Sequence, residues 1–272
     1  MKFIVAFSFL LAAASAQAQH TLQKLWETEA TLAIPESVLP DDKNDVLYVS
    51  LINGGPWEAD GKGGVAIVSK RGDILNDQWI AGLNAPKGLG KYNNKLYVAD
   101  LREVVVIDIN SKRITAHIPV AGSQNLNDLT IDAKGVIYVS DSKLNQVYRI
   151  EKGNAEVYLT NLPSANGVKA IGNDLYILTS KDIYRAGPDK KLNKIGELEH
   201  GGDGIEPVGN GDFIVSSWSG YIYYLDKTGK TDLVLDTHDQ QKNTADIGYE
   251  PAKKIVYVPT FMGKSVVAYQ LK

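Results

Sequence analysis

One phrase recurs six times along the chain: a short apolar strand, a turn, then a second strand. It reads VLYVS at Val46, KLYVA at Lys95, VIYVS at Val136, DLYIL at Asp174, DFIVS at Asp212 and IVYVP at Ile255. The anchors are Tyr48, Tyr97, Tyr138, Tyr176, Ile214 and Tyr257, spaced by about 40 residues, a period that belongs to repeat architectures. Partner strands follow each anchor: VAIVSK at Val65, VVVIDI at Val104, QVYRIE at Gln146, DIYRAG at Asp182, YIYYLD at Tyr221 and VVAYQL at Val266. Gly or Asn punctuates several of the turns after them, as in Arg71-Gly72-Asp73, Lys152-Gly153-Asn154 and Thr228-Gly229-Lys230. These residues accept the positive φ of tight hairpins. A further strand follows, for example DILNDQWI from Asp73 and AEVYLTNL from Ala155. Residues of high β-propensity dominate, and no helical period competes.

Four strands in each of six repeats predict an all-β, six-bladed β-propeller. The chain stops at Lys272, directly after the third strand of the sixth repeat. The missing strand is expected from Leu22 to Ala30, pairing beside Val266 to Leu271 and closing the ring without an open edge. Six in-phase repeats disfavour the alternative of a pair of β-sandwiches. No linker or shift of composition divides the ring.

The first residues read as an export signal. Lys2 supplies the positive start, Phe3 to Ala14 the apolar stretch, and Ala16-Gln17-Ala18 the small residues of a cleavage site. Residues 1–18 are therefore set apart as a signal peptide, with a propeller domain over 19–272, and the protein is expected to be exported, periplasmic or secreted. The apolar run is too short to span a bilayer, and no later segment is long enough, so no membrane insertion is expected after cleavage. Cysteine is absent, which removes disulfides and thiolate metal ligands. The formal net charge of -3 is weak and no basic block stands out, which argues against nucleic acid or an anionic membrane surface as partner.

One segment breaks the repeat. Asn53 to Gly64 (NGGPWEADGKGG) inserts between two strands of the first repeat, and long loops in compact domains are often functional. Trp57 within it is a candidate cover for a ligand; the competing reading is a surface hairpin loop. The run Gly61-Lys62-Gly63-Gly64 lacks Walker A spacing and context and is not a phosphate loop.

The chemistry lies where each repeat enters its innermost strand. Before each anchor stands a polar residue: Glu36, Lys87, the pair Asn127-Asp128, Asn166, Asp203 and Asp246. In a propeller the innermost strands line the central channel, so in-phase residues converge on the axis. Asn-Gly and Asp-Gly are also ordinary turn dipeptides; the shared phase is what favours a site. Carboxylates and carboxamides converging on one point are reconciled by a hard divalent cation, and all-oxygen ligation favours Ca²⁺.

The mature chain resembles the calcium-dependent six-bladed propellers of the gluconolactonase, senescence-marker-protein and luciferin-regenerating-enzyme family. The resemblance is carried by Glu36 in Pro35-Glu36-Ser37, by Asn127-Asp128, by Asn166-Gly167, and by Asp203-Gly204 followed by Ser217-Trp218-Ser219-Gly220. It implies one catalytic Ca²⁺ held by Glu36, Asn127, Asn166 and Asp203, with a small molecule as the partner. Asn125 stands where lactonases of that family often place a substrate-binding Arg, which points away from a sugar-acid lactone. Asp128, Lys87, Asp246, Trp57, Trp218 and His200 complete the candidates around the mouth. Of the other histidines, His20 precedes the fold, while His117 and His238 are expected in outer strands.

The expected function is Ca²⁺-dependent hydrolysis of a lactone or related ester, with the carbonyl polarised by the metal. Asp203 would activate water or attack directly, and a metal-bound carboxylate, being a weak base, favours attack or an acidified water. Two alternatives stand beside it. One is a non-catalytic binding propeller of NHL or YWTD type that recognises a peptide or glycan. The other is a protein whose calcium is purely structural.

Overall fold

The computed structural model describes residues 20–272. The expected signal peptide lies outside them. The first blade comprises β2 (Pro35–Asp41), β3 (Val46–Leu51), β4 (Gly63–Ser69) and β5 (Ile74–Leu83). The second holds β6 (Pro86–Tyr92), β7 (Lys95–Asp100), β8 (Glu103–Asp108) and β9 (Arg113–Pro119). The third is β10 (Leu126–Ile131), β11 (Ile137–Asp141), β12 (Gln146–Glu151) and β13 (Asn154–Leu159). The fourth is β14 (Val168–Ile171), β15 (Asp174–Leu178), β16 (Asp182–Ala186) and β17 (Leu192–Glu197). The fifth is β18 (Ile205–Gly209), β19 (Asp212–Ser217), β20 (Tyr221–Leu225) and β21 (Thr231–Asp236). The sixth joins β22 (Gly248–Glu250), β23 (Ile255–Pro259) and β24 (Val266–Leu271) to β1 (Leu22–Glu27).

Every sheet is antiparallel with neighbours in chain order, apart from the closing strand. β1 pairs with β24 from Leu22 opposite Leu271 to Glu27 opposite Val267, as expected, though it ends three residues before Ala30. Glu27 fastens the seam, accepting from Lys242 Nζ at 2.7 Å, Ser265 Oγ at 2.7 Å and Lys24 Nζ at 2.6 Å. Lys272 and Thr21 exchange backbone hydrogen bonds beyond it. Each blade keeps two edge strands, and the innermost of them faces the channel, where it is shielded from another chain.

The apolar side chains divide into six clusters, one for each seam between neighbouring blades. Tyr48 of β3 packs with Trp79 and Leu96 across the first seam, and Tyr257 of β23 with Leu47 across the last. Burying a side chain of this size contributes about 1.5–3 kcal/mol, so six distributed seams replace a single core. Inner strands such as β3 are buried almost throughout, whereas β9 on the rim is mostly exposed. The turns behave as read: Gly72, Gly153 and Gly229 all have positive φ. At Gly229 a Cβ would also meet the carbonyl oxygen of Ile195 at 2.4 Å, so only glycine fits.

His117 lies in β9, as expected. His238 does not lie in a strand; it opens a 3₁₀ turn, His238–Gln240, after β21. His20 stacks on Tyr224 with ring centroids 3.6 Å apart, so it packs against the fifth blade instead of merely preceding the fold. Among the described residues no helix is long and apolar enough to cross a membrane.

Candidate functional site

The start of each innermost strand is shaped by the way it pairs. In β2, β6 and β10 the register slips by one residue between Pro35 and Val38, Pro86 and Leu89, and Leu126 and Leu129. A bulge breaks the alternation of side chains, so two consecutive residues, Glu36-Ser37, Lys87-Gly88 and Asn127-Asp128, turn toward the channel end. Serines of the second strands hold the bulged backbone. Ser50, Ser140 and Ser216 accept from the N–H groups of Ser37, Asp128 and Gly204 at 2.9, 3.0 and 2.9 Å.

The pairing fixes the phase of the ring. Asn166, Asp203 and Ala245 donate their N–H groups to the carbonyls of Leu178, Ser216 and Pro259, which are equivalent positions of the second strands. The first layer is therefore Glu36, Lys87, Asn127, Asn166, Asp203 and Ala245. Asp246 is one residue out of phase with Asp203, contrary to the sequence reading, and belongs with Ser37 and Asp128 in a second layer. The reason is that the tyrosine spacing alone does not count the residues in the crossover from β21 to β22.

The glycines after the polar residues have a packing role. Gly88, Gly167 and Gly204 are not among the glycines of positive φ. A Cβ at Gly88 would lie 2.5 Å from Asp128 Oδ1, and one at Gly204 would lie 2.6 Å from Asp246 Oδ1. Here Asp203-Gly204 and Asn166-Gly167 are sites of close approach between neighbouring inner strands, not turns.

In the first layer Glu36, Lys87, Asn127 and Asp203 are all buried, and Asn166 is half-buried. Asn166 Nδ2 donates to Asp203 Oδ1 at 3.0 Å. Asn127 Nδ2 donates to Ser142 Oγ at 3.0 Å, and that hydroxyl in turn donates to the Ala165 carbonyl at 2.7 Å. Both amides are thus oriented by their NH₂ groups. Two oxygens of this layer, Glu36 Oε2 and Asn166 Oδ1, are buried with no hydrogen-bond partner. Leaving a buried acceptor unmatched costs about 1–3 kcal/mol, which makes two such atoms in one layer informative. Among the described residues no three His, Cys, Asp or Glu side chains gather as a metal cluster. The donor set that could hold a cation consists instead of two carboxylates, Glu36 and Asp203, with the two carboxamides.

Burial pushes the Asp203 carboxyl up to about 7, against the Asn166 hydrogen bond and the charge of Lys87. Burial likewise holds Glu36 well above the usual carboxylate range; Lys87 opposes this, while Asp203 and Asp246 add to it. Lys87 is pulled down by burial, against Glu36, Asp100 and Asp203. Its ammonium donates to the carbonyls of Pro56 at 2.7 Å and Ala85 at 3.3 Å, and sits 4.1 Å from the centroid of the Trp57 ring. The insertion residue expected to cover a ligand therefore covers Lys87.

The second layer serves the fold. Asp128 accepts from the N–H of Leu129 at 2.6 Å and of Val168 at 2.7 Å, bracing the fourth blade against the third. Asp246 accepts from Ser37 Oγ at 2.5 Å, tying the sixth blade to the first. Burial, above all, pushes its carboxyl up to about 8. Below them Lys169 and Glu206 form an ion pair at 2.7 Å. These residues line a channel cavity of about 300 Å³.

The outlying candidates separate. Asn125 and Trp57 line a groove of about 570 Å³ with Arg102, from the turn between β7 and β8. An arginine thus borders the groove from a different part of the chain than the position held by Asn125. Trp218 is exposed and stands edge-on to Phe261 at 5.6 Å. His200 packs on the fifth blade: its Nδ1 is 2.8 Å from Tyr223 Oη and its ring stacks on Tyr221 at 4.0 Å, both in β20. Sequence reasoning missed Arg102, Ala245 and the Lys169–Glu206 pair. Counting back from the β23 pairing finds Ala245; a lone arginine in a turn gives no such signal.

No family model matches the sequence, and no curated protein matches it. Solved structures do match in fold. A putative gluconolactonase shares 12% identity over 94% of this chain and 93% of its own, with a TM-score of 0.69. A streptogramin B lyase shares 11% over 93% of this chain and 98% of its own, at 0.66. A catalytically inactive virginiamycin B lyase from Staphylococcus aureus, solved with quinupristin, shares 14% over 93% and 100%, at 0.64. The chain shares with them a propeller scaffold of the kind that some hydrolases and lyases use.

Proposed function

We propose that the protein is a calcium-dependent hydrolase of a lactone or related ester, with its site in the first channel layer. The observation that carries this reading is the pair of buried, unpartnered oxygens, Glu36 Oε2 and Asn166 Oδ1. A hard cation satisfies such acceptors where no protein donor reaches them. Glu36, Asn127, Asn166 and Asp203 would hold it. When bound, Ca²⁺ supplies Lewis-acid polarisation of a carbonyl oxygen. Asn127 and Asn166 present neutral oxygens, kept in orientation by Ser142 and Asp203. Asp203 keeps Oδ2 free of the Asn166 hydrogen bond, available to take a proton from water or to attack the carbonyl carbon. Burial of the layer keeps bulk water from competing.

The lyase resemblance supports the scaffold but not the same chemistry. The inactive virginiamycin B lyase carries a histidine-to-alanine substitution, and no histidine stands in either channel layer here. A second reading, a binding propeller for a peptide or glycan, is favoured by the exposed Trp218 and Met262 at the blade ends. The deciding experiment is hydrolysis of a panel of lactones and aryl esters, with and without chelator. Turnover that calcium restores supports the hydrolase; none on any substrate favours the binding propeller.

A further inference from the structure

The insertion between β3 and β4 and the lysine of the second blade form one unit. Lys87 is the only basic side chain in the first layer, and it is 3% exposed. Its charge lies close enough to Glu36 and Asp203 for each to act on it. Yet neither carboxylate comes within the 4.0 Å of an ion pair. The insertion supplies the shortest contact of the ammonium, the Pro56 carbonyl at 2.7 Å, and the Trp57 ring at 4.1 Å, beside the Ala85 carbonyl at 3.3 Å. The insertion is itself lightly tied. Gly61 N–H donates to Asn84 Oδ1 at 3.3 Å, and Asn84 Nδ2 donates to Asp100 Oδ2 at 3.3 Å. Between Asn53 and Lys62 it has no regular strand, so its docking rests on these few contacts.

We propose that the insertion is a latch that decides which cation the first layer carries. Docked, it draws Lys87 onto Pro56 and Trp57 and leaves Glu36 and Asp203 to a divalent ion. Released, Lys87 turns on its flexible four-carbon stem to pair with those carboxylates and excludes the ion. The two cations compete because both need the same carboxylates and repel each other at short range. Coupling is reciprocal, so ion binding favours the docked insertion by the same factor. The proposal rests on reading the first layer as a cation site; Lys87 acts in it as a positioning residue.

The test is calorimetric titration of Ca²⁺ into the wild type, Lys87→Met, Trp57→Ala and the double variant, each first checked for a cooperative melt. Lys87→Gln serves in the same role if the Met variant does not fold. Removing the lysine charge is expected to tighten binding about tenfold or more. Trp57→Ala should weaken binding about three- to tenfold in the wild type, the range of a cation–π contact, and leave it unchanged once Lys87 is replaced. Independent, additive effects, or weaker binding in Lys87→Met, overturn the latch while leaving the calcium site standing. Binding by Lys87→Met but not by the wild type overturns the latch, because the docked insertion then fails to free the carboxylates, and removes calcium dependence from the native protein. Binding by neither overturns both.

Discussion

The carboxamide of Asn166 donates to Oδ1 of Asp203 at 3.0 Å, joining the fourth and fifth blades across the channel mouth. The NH₂ end must face the carboxylate, because an amide oxygen there would set two acceptors against each other. The Asn166 oxygen is then left buried without a donor. One contact thus orients the proposed reactive carboxylate and frees a neutral ligand oxygen beside it.

Asp203→Asn is expected to lower kcat by at least about 100-fold, the low end for loss of a catalytic acid–base or nucleophile. Calcium binding should largely persist, since an amide oxygen still coordinates. Turnover of the lactone panel and calorimetry on the same preparation check both halves. Full activity in this variant overturns the assignment of Asp203.

Glu36→Gln should act through affinity. The substitution keeps an oxygen at the position of the unpartnered Oε2 but removes a charge, so the calcium dependence of activity should shift to higher concentration with kcat recovered at saturation. Failure of excess calcium to rescue turnover places Glu36 in the chemistry itself.

The metal-free protein should lose stability as pH rises through the range of its buried acids. Asp203 and Asp246 are raised from 3.8 to about 7 and about 8, chiefly by burial. A raised carboxyl binds its proton more tightly in the folded state. Its contribution is therefore full below the unfolded value and is lost as pH climbs through the folded one. Melting curves in chelator should show Tm falling between about pH 5 and 8, and calcium should flatten that fall. A Tm independent of pH there contradicts the burial of two strained acids.

The ring closure has the opposite sign. Burial opposes the charge of Glu27, but hydrogen bonds from Lys24, Lys242 and Ser265 hold it down to about 2, below its ordinary 4.5. Its contribution is present above 4.5 and is lost as pH falls toward 2. Glu27→Gln should destabilise the protein by about 1–2 kcal/mol at neutral pH and weaken its acid sensitivity, as read by chemical denaturation at pH 7 and pH 3.

Gly204→Ala should disturb the seam between the fifth and sixth blades. The added Cβ would lie 2.5 Å from the Ile247 nitrogen and 2.6 Å from Asp246 Oδ1. Backbone yields little, so a cost of about 1–3 kcal/mol is expected, with Tm lower by about 2–4 °C for each kcal/mol. An unchanged Tm shows that the blades do not pack as closely as described.

The sequence by itself determined the architecture. A strand anchored by Tyr48, Tyr97 and their successors repeats because each blade must bury the same faces against its neighbours. That requirement is written locally in alternating apolar residues and hairpin glycines. Even the closure by Leu22–Glu27 was legible, since three strands at one end demand a fourth from the other. Which side chains meet was decided only by the tertiary structure. The phase that puts Ala245, not Asp246, in the first layer depends on hydrogen bonds between strands, as from Ala245 N–H to the Pro259 carbonyl. The confinement of Lys87 depends on Pro56 and Trp57, 31 and 30 residues before it in the chain, brought back by a loop with no periodic signal. The stacking of His200 on Tyr221, 21 residues further along the chain, likewise had no periodic signal. Periodicity specifies which faces are buried; it does not specify the one-residue register or the loop contacts, because those follow from geometry between segments far apart in sequence.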